Sequence, residues 1–234
     1  MKQIVIGTSG GLDSTTLLGF LLTQQKESII HCVSFRYGST HGKYEIEAVD
    51  KIIKYYQHIY PKRVRKYDVD ITPVMDLFSS NLLIKNKKSI PEGSYNQENM
   101  EQTYVPGRNL IFASIMAGIA ESIGAEEIAL GVHSGGHYLY PDCRSEFVQA
   151  LNAVVHASSD KKIKVLAPFV NMDKAEIIKL GLSLPAVPYH LTRSCYKNQP
   201  VSCGKCGTCK ERLEAFATLG KKDFIQYQTQ KSES

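Results

Sequence analysis

The chain has 234 residues, 43% of them hydrophobic, with six cysteines and a formal net charge of +5 from 28 Lys and Arg against 23 Asp and Glu. That length and apolar content suit one sizeable globular domain with a small appendage. The positive excess is too mild to call for nucleic acid and suits an anionic small molecule equally well, and no apolar run reaches the roughly 18 residues of a membrane span.

The first apolar run, Gln3–Gly7, reads as a strand, and the pattern from Ser14 to Leu22 reads as a helix. Only Ile4-Val5-Ile6 follows Met1-Lys2 before polar residues begin, so no export signal is expected and the protein is expected to be cytoplasmic. Between strand and helix lies Ser9-Gly10-Gly11-Leu12-Asp13-Ser14. No Lys follows these glycines, as a Walker loop requires, and Gly7, Gly10 and Gly11 do not fit a dinucleotide fingerprint. Glycines here let backbone N–H groups converge on one concavity, and the helix adds the positive end of its dipole. With the hydroxyls of Ser9, Ser14 and Thr15, the turn makes a cradle for pyrophosphate. Asp13 would repel phosphate unless a cation lay between them, which implies Mg²⁺. The plainer alternative is a tight turn with Asp13 or Ser14 as a helix cap; the complete S-G-G-x-D-S pattern directly after the first strand weighs against it.

Further strands are expected at Ile29–Phe35, Val64–Ile71, Glu127–Val132 and Lys164–Phe169. Helical patterns alternate with them at Glu45–Tyr56, Asn109–Ile123, Ser145–His156 and Lys174–Leu180. Such alternation predicts a parallel sheet covered by helices on both faces, with ligands gathering beyond the carboxyl ends of the strands. The polar stretch 85–103 reads as a long loop of the kind used as a lid, and the stretch after Gln226 as a frayed tail. Cys32 reads as a small core residue, and His133 and His137 as a pair of exposed loop histidines rather than a metal or acid–base site.

Cys195, Cys203, Cys206 and Cys209 bring four thiols within 15 residues, with Gly204 and Gly207 permitting tight turns. Spacing and number suit a closed, structural Zn²⁺ site. A redox C-x-x-C pair would leave two cysteines without a role. Leu213, Phe216 and Leu219 then read as a helix docking this segment on the core.

The set S-G-G-x-D-S-T-T, V-P-G-R-N at 105–109, Y-P-D-C-R at 140–144, D-K-A-E at 173–176 and C-x7-C-G-x-C-x2-C resembles the 7-cyano-7-deazaguanine synthase (QueC) family of PP-loop ATP pyrophosphatases. The resemblance runs in order to about Leu219. It implies a Rossmann-like α/β fold, divided into a PP-loop domain over 1–190, a four-cysteine zinc segment with its docking helix over 191–222, and a flexible tail over 223–234. It also implies a homodimer, one zinc per subunit, and ATP held by Thr8, Ser9, Gly10, Gly11, Leu12, Asp13, Ser14, Thr15, Thr16, Leu17 and Leu18. Asp13, Arg108 and Lys174 become the catalytic candidates, with a salt-bridged Arg108 and a merely exposed Lys174 beside a capping box as the plainer readings. Tyr37, Tyr140, Asp142 and Arg144 are candidates for contact with the substrate, a deazapurine carboxylate that condenses with ammonia. The ammonia is expected to be free or delivered by a partner. The chain departs from the family pattern at Arg36, where an acid is usual, and over Val132–Tyr140. These departures leave open a paralogue that stops at the amide or joins the activated base to a protein amine.

Overall fold

The structure, a computed structural model, describes residues 1–133 and 140–228. Five strands, β1 (Gln3–Gly7), β2 (Ile29–Arg36), β3 (Val64–Asp70), β4 (Glu127–Ala129) and β5 (Lys164–Leu166), form one sheet in the order β3-β2-β1-β4-β5. All four pairings are parallel. The order reverses between β1 and β4, and there the loops leaving the carboxyl ends part to open a crevice.

The helices are α1 (Leu12–Gln24), α2 (Gly42–Ile59), α3 (Thr72–Met75), α4 (Gln97–Thr103), α5 (Arg108–Ile123), α6 (Ser145–Ala157), α7 (Lys174–Ser183) and α8 (Gly207–Thr218). Side chains alternate across a strand, so each central strand feeds both faces. Ile4, Ile6, Ile30 and Cys32 enter one core with α1, α2, α7 and α8, whereas Val5, Val33 and Phe35 enter the other with α5 and α6. Cys32 is accordingly a buried core residue, and burial pushes its thiol well above the ordinary range.

Three sequence expectations need correction. Strands β4 and β5 are three residues each rather than six, because after Leu130, whose N–H still donates to the Leu166 carbonyl at 2.8 Å, the chain turns towards the crevice. The stretch 85–103 is not loop throughout. Its last third is α4, started by a reciprocal capping box in which Asn96 and Asn99 bind each other's backbone N–H. Residues 223–228 are not loose: Arg212 is only 1% exposed, and Asp223 returns to meet its guanidinium in two hydrogen bonds of 2.7 and 2.9 Å. Phe224 adds an edge contact with Phe216, and Tyr227 donates to Asp223. Residues 229–234 lie outside the described residues.

A buried ion pair gives little net stability when whole, but removing one partner leaves an uncompensated charge. Asp223→Ala is therefore expected to destabilise the protein by about 3–5 kcal/mol, read as a lowered midpoint of urea unfolding.

Candidate functional site

The crevice beyond β1 and β4 holds a cavity of about 280 Å³. Its floor is the turn after β1. Gly10 has a φ of +71°, and a Cβ there would lie 2.9 Å from both the Val49 nitrogen and the Ala48 Cβ of α2. Only glycine fits this combination of left-handed backbone and close approach. Gly11 N–H donates to Ser9 Oγ (3.3 Å) and Ser9 N–H to Ser14 Oγ (3.3 Å), so the amides of the turn hold its two serine hydroxyls at the head of α1.

The eleven residues expected around ATP divide. Thr8, Ser9, Gly11, Leu12, Asp13 and Ser14 line the cavity. Gly10 supports the turn from behind. Thr15 and Thr16 donate back to the Gly11 and Leu12 carbonyls at 2.7 and 2.9 Å, and Leu17 and Leu18 are fully buried in the core. These four lie further along α1 and contribute no cavity wall. The reason is helical geometry: each residue rises along the axis away from the cavity, which only the start of α1 meets.

Asp13 sits in a cluster of charge. Its Oδ2 accepts from Lys174 Nζ at 2.6 Å, and His133 Nε2 lies 3.8 Å away. Lys174 also reaches Glu211 at 3.4 Å. Burial opposes ionisation of Asp13, but Lys174 and His133 together outweigh it and hold the carboxyl below its ordinary range. Burial likewise opposes the charge on Lys174, and Asp13 and Glu211 overcome it. Asp13 Oδ1 is buried and has no hydrogen-bond partner among the described residues. An anionic oxygen left bare beside a phosphate-type turn fits a divalent cation. Lys174 is thus not a bystander of the Asp173–Glu176 capping box, which does form. His133 is not an exposed loop residue, because the shortness of β4 brings it to the cavity wall; His137 lies outside the described residues.

The other walls are aromatic. Phe35 and Phe112 stack with centroids 4.1 Å apart, and Tyr37, Tyr95, Tyr140 and Tyr196 complete the lining. Arg108 enters from the first turn of α5, its guanidinium 5.7 Å from the centre of the Tyr37 ring. Glu45 of α2 faces the same space. Sequence reasoning missed Glu45, Tyr95, Tyr196 and Glu211; none lies in a motif that carries its own chemistry, and only the fold brings them together. Asp142 and Arg144 are not part of the lining. Asp142 is buried and accepts from the Asn109 amide at 3.0 Å, holding the start of α5 and so positioning Arg108. Arg144 is half-buried, its guanidinium 4.0 Å from the carboxylate of Glu146. Arg36 is exposed at the end of β2 and is absent from the cavity lining.

The four cysteines gather as expected, with their sulfurs all within 4.8 Å of one another, and could hold a metal. Cys203 and Cys209 sulfurs are 3.9 Å apart, against about 3.8 Å for two ligands of a tetrahedral site with 2.3 Å metal–sulfur bonds. Two backbone N–H groups point at Cys195 Sγ and two at Cys203 Sγ, a pattern that stabilises thiolates. None of the six cysteines is paired in a disulfide. The cluster abuts the cavity: a Cβ on Gly207 would lie 2.5 Å from the Tyr95 ring, so the absence of a side chain there seats a cavity wall.

A parallel sheet with a glycine turn, an N-terminal aspartate on the following helix and an aromatic cavity at the switch point defines an α/β protein of the PP-loop type. A 4-thiouridine synthetase, solved with RNA and bound ATP, shares this fold with a TM-score of 0.55 over 87% of this chain and 44% of that one, at 20% identity. The family model for queuosine biosynthesis protein QueC matches residues 3–220. Two proteins named 7-cyano-7-deazaguanine synthase are similar over nearly their whole length. That of Archaeoglobus fulgidus is 44% identical over 95% of this chain and 89% of its own. That of Caldicellulosiruptor saccharolyticus is 42% identical over 97% and 96%. The chain belongs to the QueC family.

Removing the ammonium at position 174 leaves burial as the main influence on Asp13. Lys174→Met is expected to raise the Asp13 carboxyl pKa, seen as a shift of its carboxyl carbon titration to higher pH in nuclear magnetic resonance. An unmoved titration would contradict the ion pair.

Proposed function

We propose that the protein is an ATP-dependent synthase that converts 7-carboxy-7-deazaguanine and ammonia into 7-cyano-7-deazaguanine, releasing AMP and pyrophosphate. The observation that carries this reading is one cavity bounded on one side by a phosphate-type turn and on another by stacked aromatic rings. A flat base and a triphosphate can meet there. The family membership agrees with it.

The chemistry explains the need for ATP. A carboxylate will not condense with ammonia in water, because oxide is its leaving group. Attack of a carboxylate oxygen on the α-phosphorus expels pyrophosphate and gives an acyl-adenylate. Ammonia attacks the acyl carbon, AMP leaves, and a proton is lost to give the amide. The amide oxygen then attacks the α-phosphorus of a second ATP and expels its pyrophosphate; AMP departs with that oxygen and the nitrogen gives up its protons, leaving the nitrile. The protein's work is positioning and charge neutralisation. The Ser9 and Ser14 hydroxyls, held by the Gly11 and Ser9 amides, bind pyrophosphate together with the positive end of α1. Lys174 and Arg108 oppose the negative charge that grows as it leaves. Asp13, through its bare Oδ1, would hold Mg²⁺, whose contribution is to neutralise phosphate oxygens. His133 beside Asp13 adds a donor on the same wall.

Zn²⁺ at the four cysteines would be structural, since four protein ligands leave no open position. Association as a homodimer is supported by α5 and α6. Leu110 and Val154 are 46% and 63% exposed, and nothing lies within 4 Å of a Cβ on Gly118, so an apolar face of the single chain is left uncovered.

Incubation with 7-carboxy-7-deazaguanine, ATP, Mg²⁺ and ammonium is expected to release a nitrile of the corresponding mass, with two AMP per nitrile. AMP without nitrile would refute the reaction while leaving the nucleotide site. Asp13→Asn is expected to lose at least about 100-fold in kcat, since it weakens electrostatic stabilisation at the transition state, with the far-ultraviolet circular dichroism unchanged. Metal analysis is expected to find one zinc per chain, and Cys206→Ser to lose it together with a lower melting temperature, because bound metal contributes folding free energy.

A further inference from the structure

Glu45 is a carboxylate without a role in phosphate chemistry. It lies in the first turn of α2, its side chain is 14% exposed, and it borders the cavity beside the aromatic wall. Ser39 Oγ donates to its Oε2 at 3.3 Å, and His41 Nε2 lies 3.4 Å from the same oxygen. Both contacts are to Oε2. Burial pushes the Glu45 carboxyl up to about 7, against the opposing pull of Arg108 and the Ser39 hydrogen bond. A buried acid with so few donors is costly unless a ligand supplies more.

Two flat bases enter the proposed reaction, and their edges differ. A deazaguanine offers a ring N–H and an exocyclic amino group side by side, two donors that match the two oxygens of a carboxylate. Adenine offers an amino donor next to a bare ring nitrogen, and a carboxylate facing it meets another acceptor. The acids that line the cavity are Asp13, Glu211 and Glu45, and the first two are paired with Lys174. Glu45 is the acid beside the aromatic wall, and Arg36 at the end of β2 is exposed and outside the lining.

We propose that Glu45 is the specificity residue for the guanine-type base, accepting hydrogen bonds from its ring N–H and exocyclic amino group, with Arg108 beside it as the charge complement. This rests on the synthase reading for the identity of the base. Ser39 orients the carboxylate, and the Phe35–Phe112 stack and Tyr37 flank the slot.

The experiment is a titration calorimetry series on the full chain with two ligands: 7-carboxy-7-deazaguanine and its analogue lacking the exocyclic amino group. Wild-type protein is expected to bind the amino-bearing base tighter by on the order of 100-fold, the range for a lost bond to a charged partner. Glu45→Gln keeps one acceptor and sets a donor against a donor. It is expected to bind the two bases within about 3-fold of each other, an expectation from the same bond being absent for both, while its affinity for ATP is unchanged. In turnover, the loss is expected in KM for the base rather than in KM for ATP. A Glu45→Gln protein that keeps the full preference overturns the inference. So does a wild-type protein that shows no preference or binds neither base, a result that needs no variant to fold. Wild-type protein that binds with the expected preference but releases no nitrile refutes the proposed reaction and supports the role of Glu45.

Discussion

Gly10 is where three separate parts of the chain meet, and the site depends on that contact. Its backbone presses on α2 at Ala48 and Val49, and its carbonyl accepts the Arg193 amide at 2.8 Å. The left-handed turn sets the serine hydroxyls of the loop at the cavity while the contact with α2 brings Glu45 to the same space. The bond to Arg193 ties in the segment that leads to the four cysteines. A side chain at this position would have to move backbone rather than a flexible neighbour, and the phosphate turn, the base slot and the cysteine segment would lose their common reference point.

The charges in the cavity are arranged in two groups. Asp13, Lys174, Glu211 and His133 form one, and Arg108 and Glu45 with the tyrosines form the other. Each group is held by elements from distant parts of the sequence: α1, α7 and α8 for the first, α2 and α5 for the second. Such groups are not a source of stability, because the desolvation of buried ions cancels much of their attraction. In the reaction proposed above, their value is that dipoles and charges stand in place before the substrate arrives, so that little reorganisation accompanies the build-up of negative charge. His41 illustrates the cost. Burial, with Arg108 and Arg193 nearby, pulls its imidazole down to about 3, so it sits beside Glu45 as a neutral ring.

The sheet and its helices were legible in the sequence because the apolar periods are clean. The strand starts of β1, β2, β3, β4 and β5 all fall where the apolar runs begin. The glycine turn and the cysteine cluster were legible because their chemistry requires particular residues at short, fixed spacing. The base slot was not legible. Phe35 ends a strand, Phe112 lies mid-helix and Tyr95 lies in a polar stretch, and each by itself reads as ordinary packing. The helix α4 was hidden because Gln97–Thr103 carries few apolar residues; its start is set by the Asn96–Asn99 capping box, which has neither the Ser or Thr nor the Glu or Gln of the usual signature. Asp223 was hidden for a similar reason. Nothing in a polar C-terminal stretch announces that it partners an arginine buried eleven residues earlier.

The cysteine segment bears on the site more closely than its distance from the chemistry suggests. Ser194, Tyr196, Thr208 and Glu211 lie within or beside it and line the cavity, and Tyr95 packs on Gly207. The polar stretch that carries Tyr95 is tied to it by the Gly93–Lys205 backbone bond, the Glu92–Cys206 bridge and the Lys197–Glu92 ion pair. On the other side, the Thr40 hydroxyl donates to the Tyr196 carbonyl at 3.1 Å, next to the Ser39–Glu45 pair. A segment with so few apolar side chains of its own cannot hold a rigid wall by burial, since the area removed from water is small. A metal shared by the four thiols would do so, and would fix the backbone on which Tyr95 and Tyr196 of the cavity wall depend. The cysteine segment thus bears on the shape of the aromatic wall of the cavity.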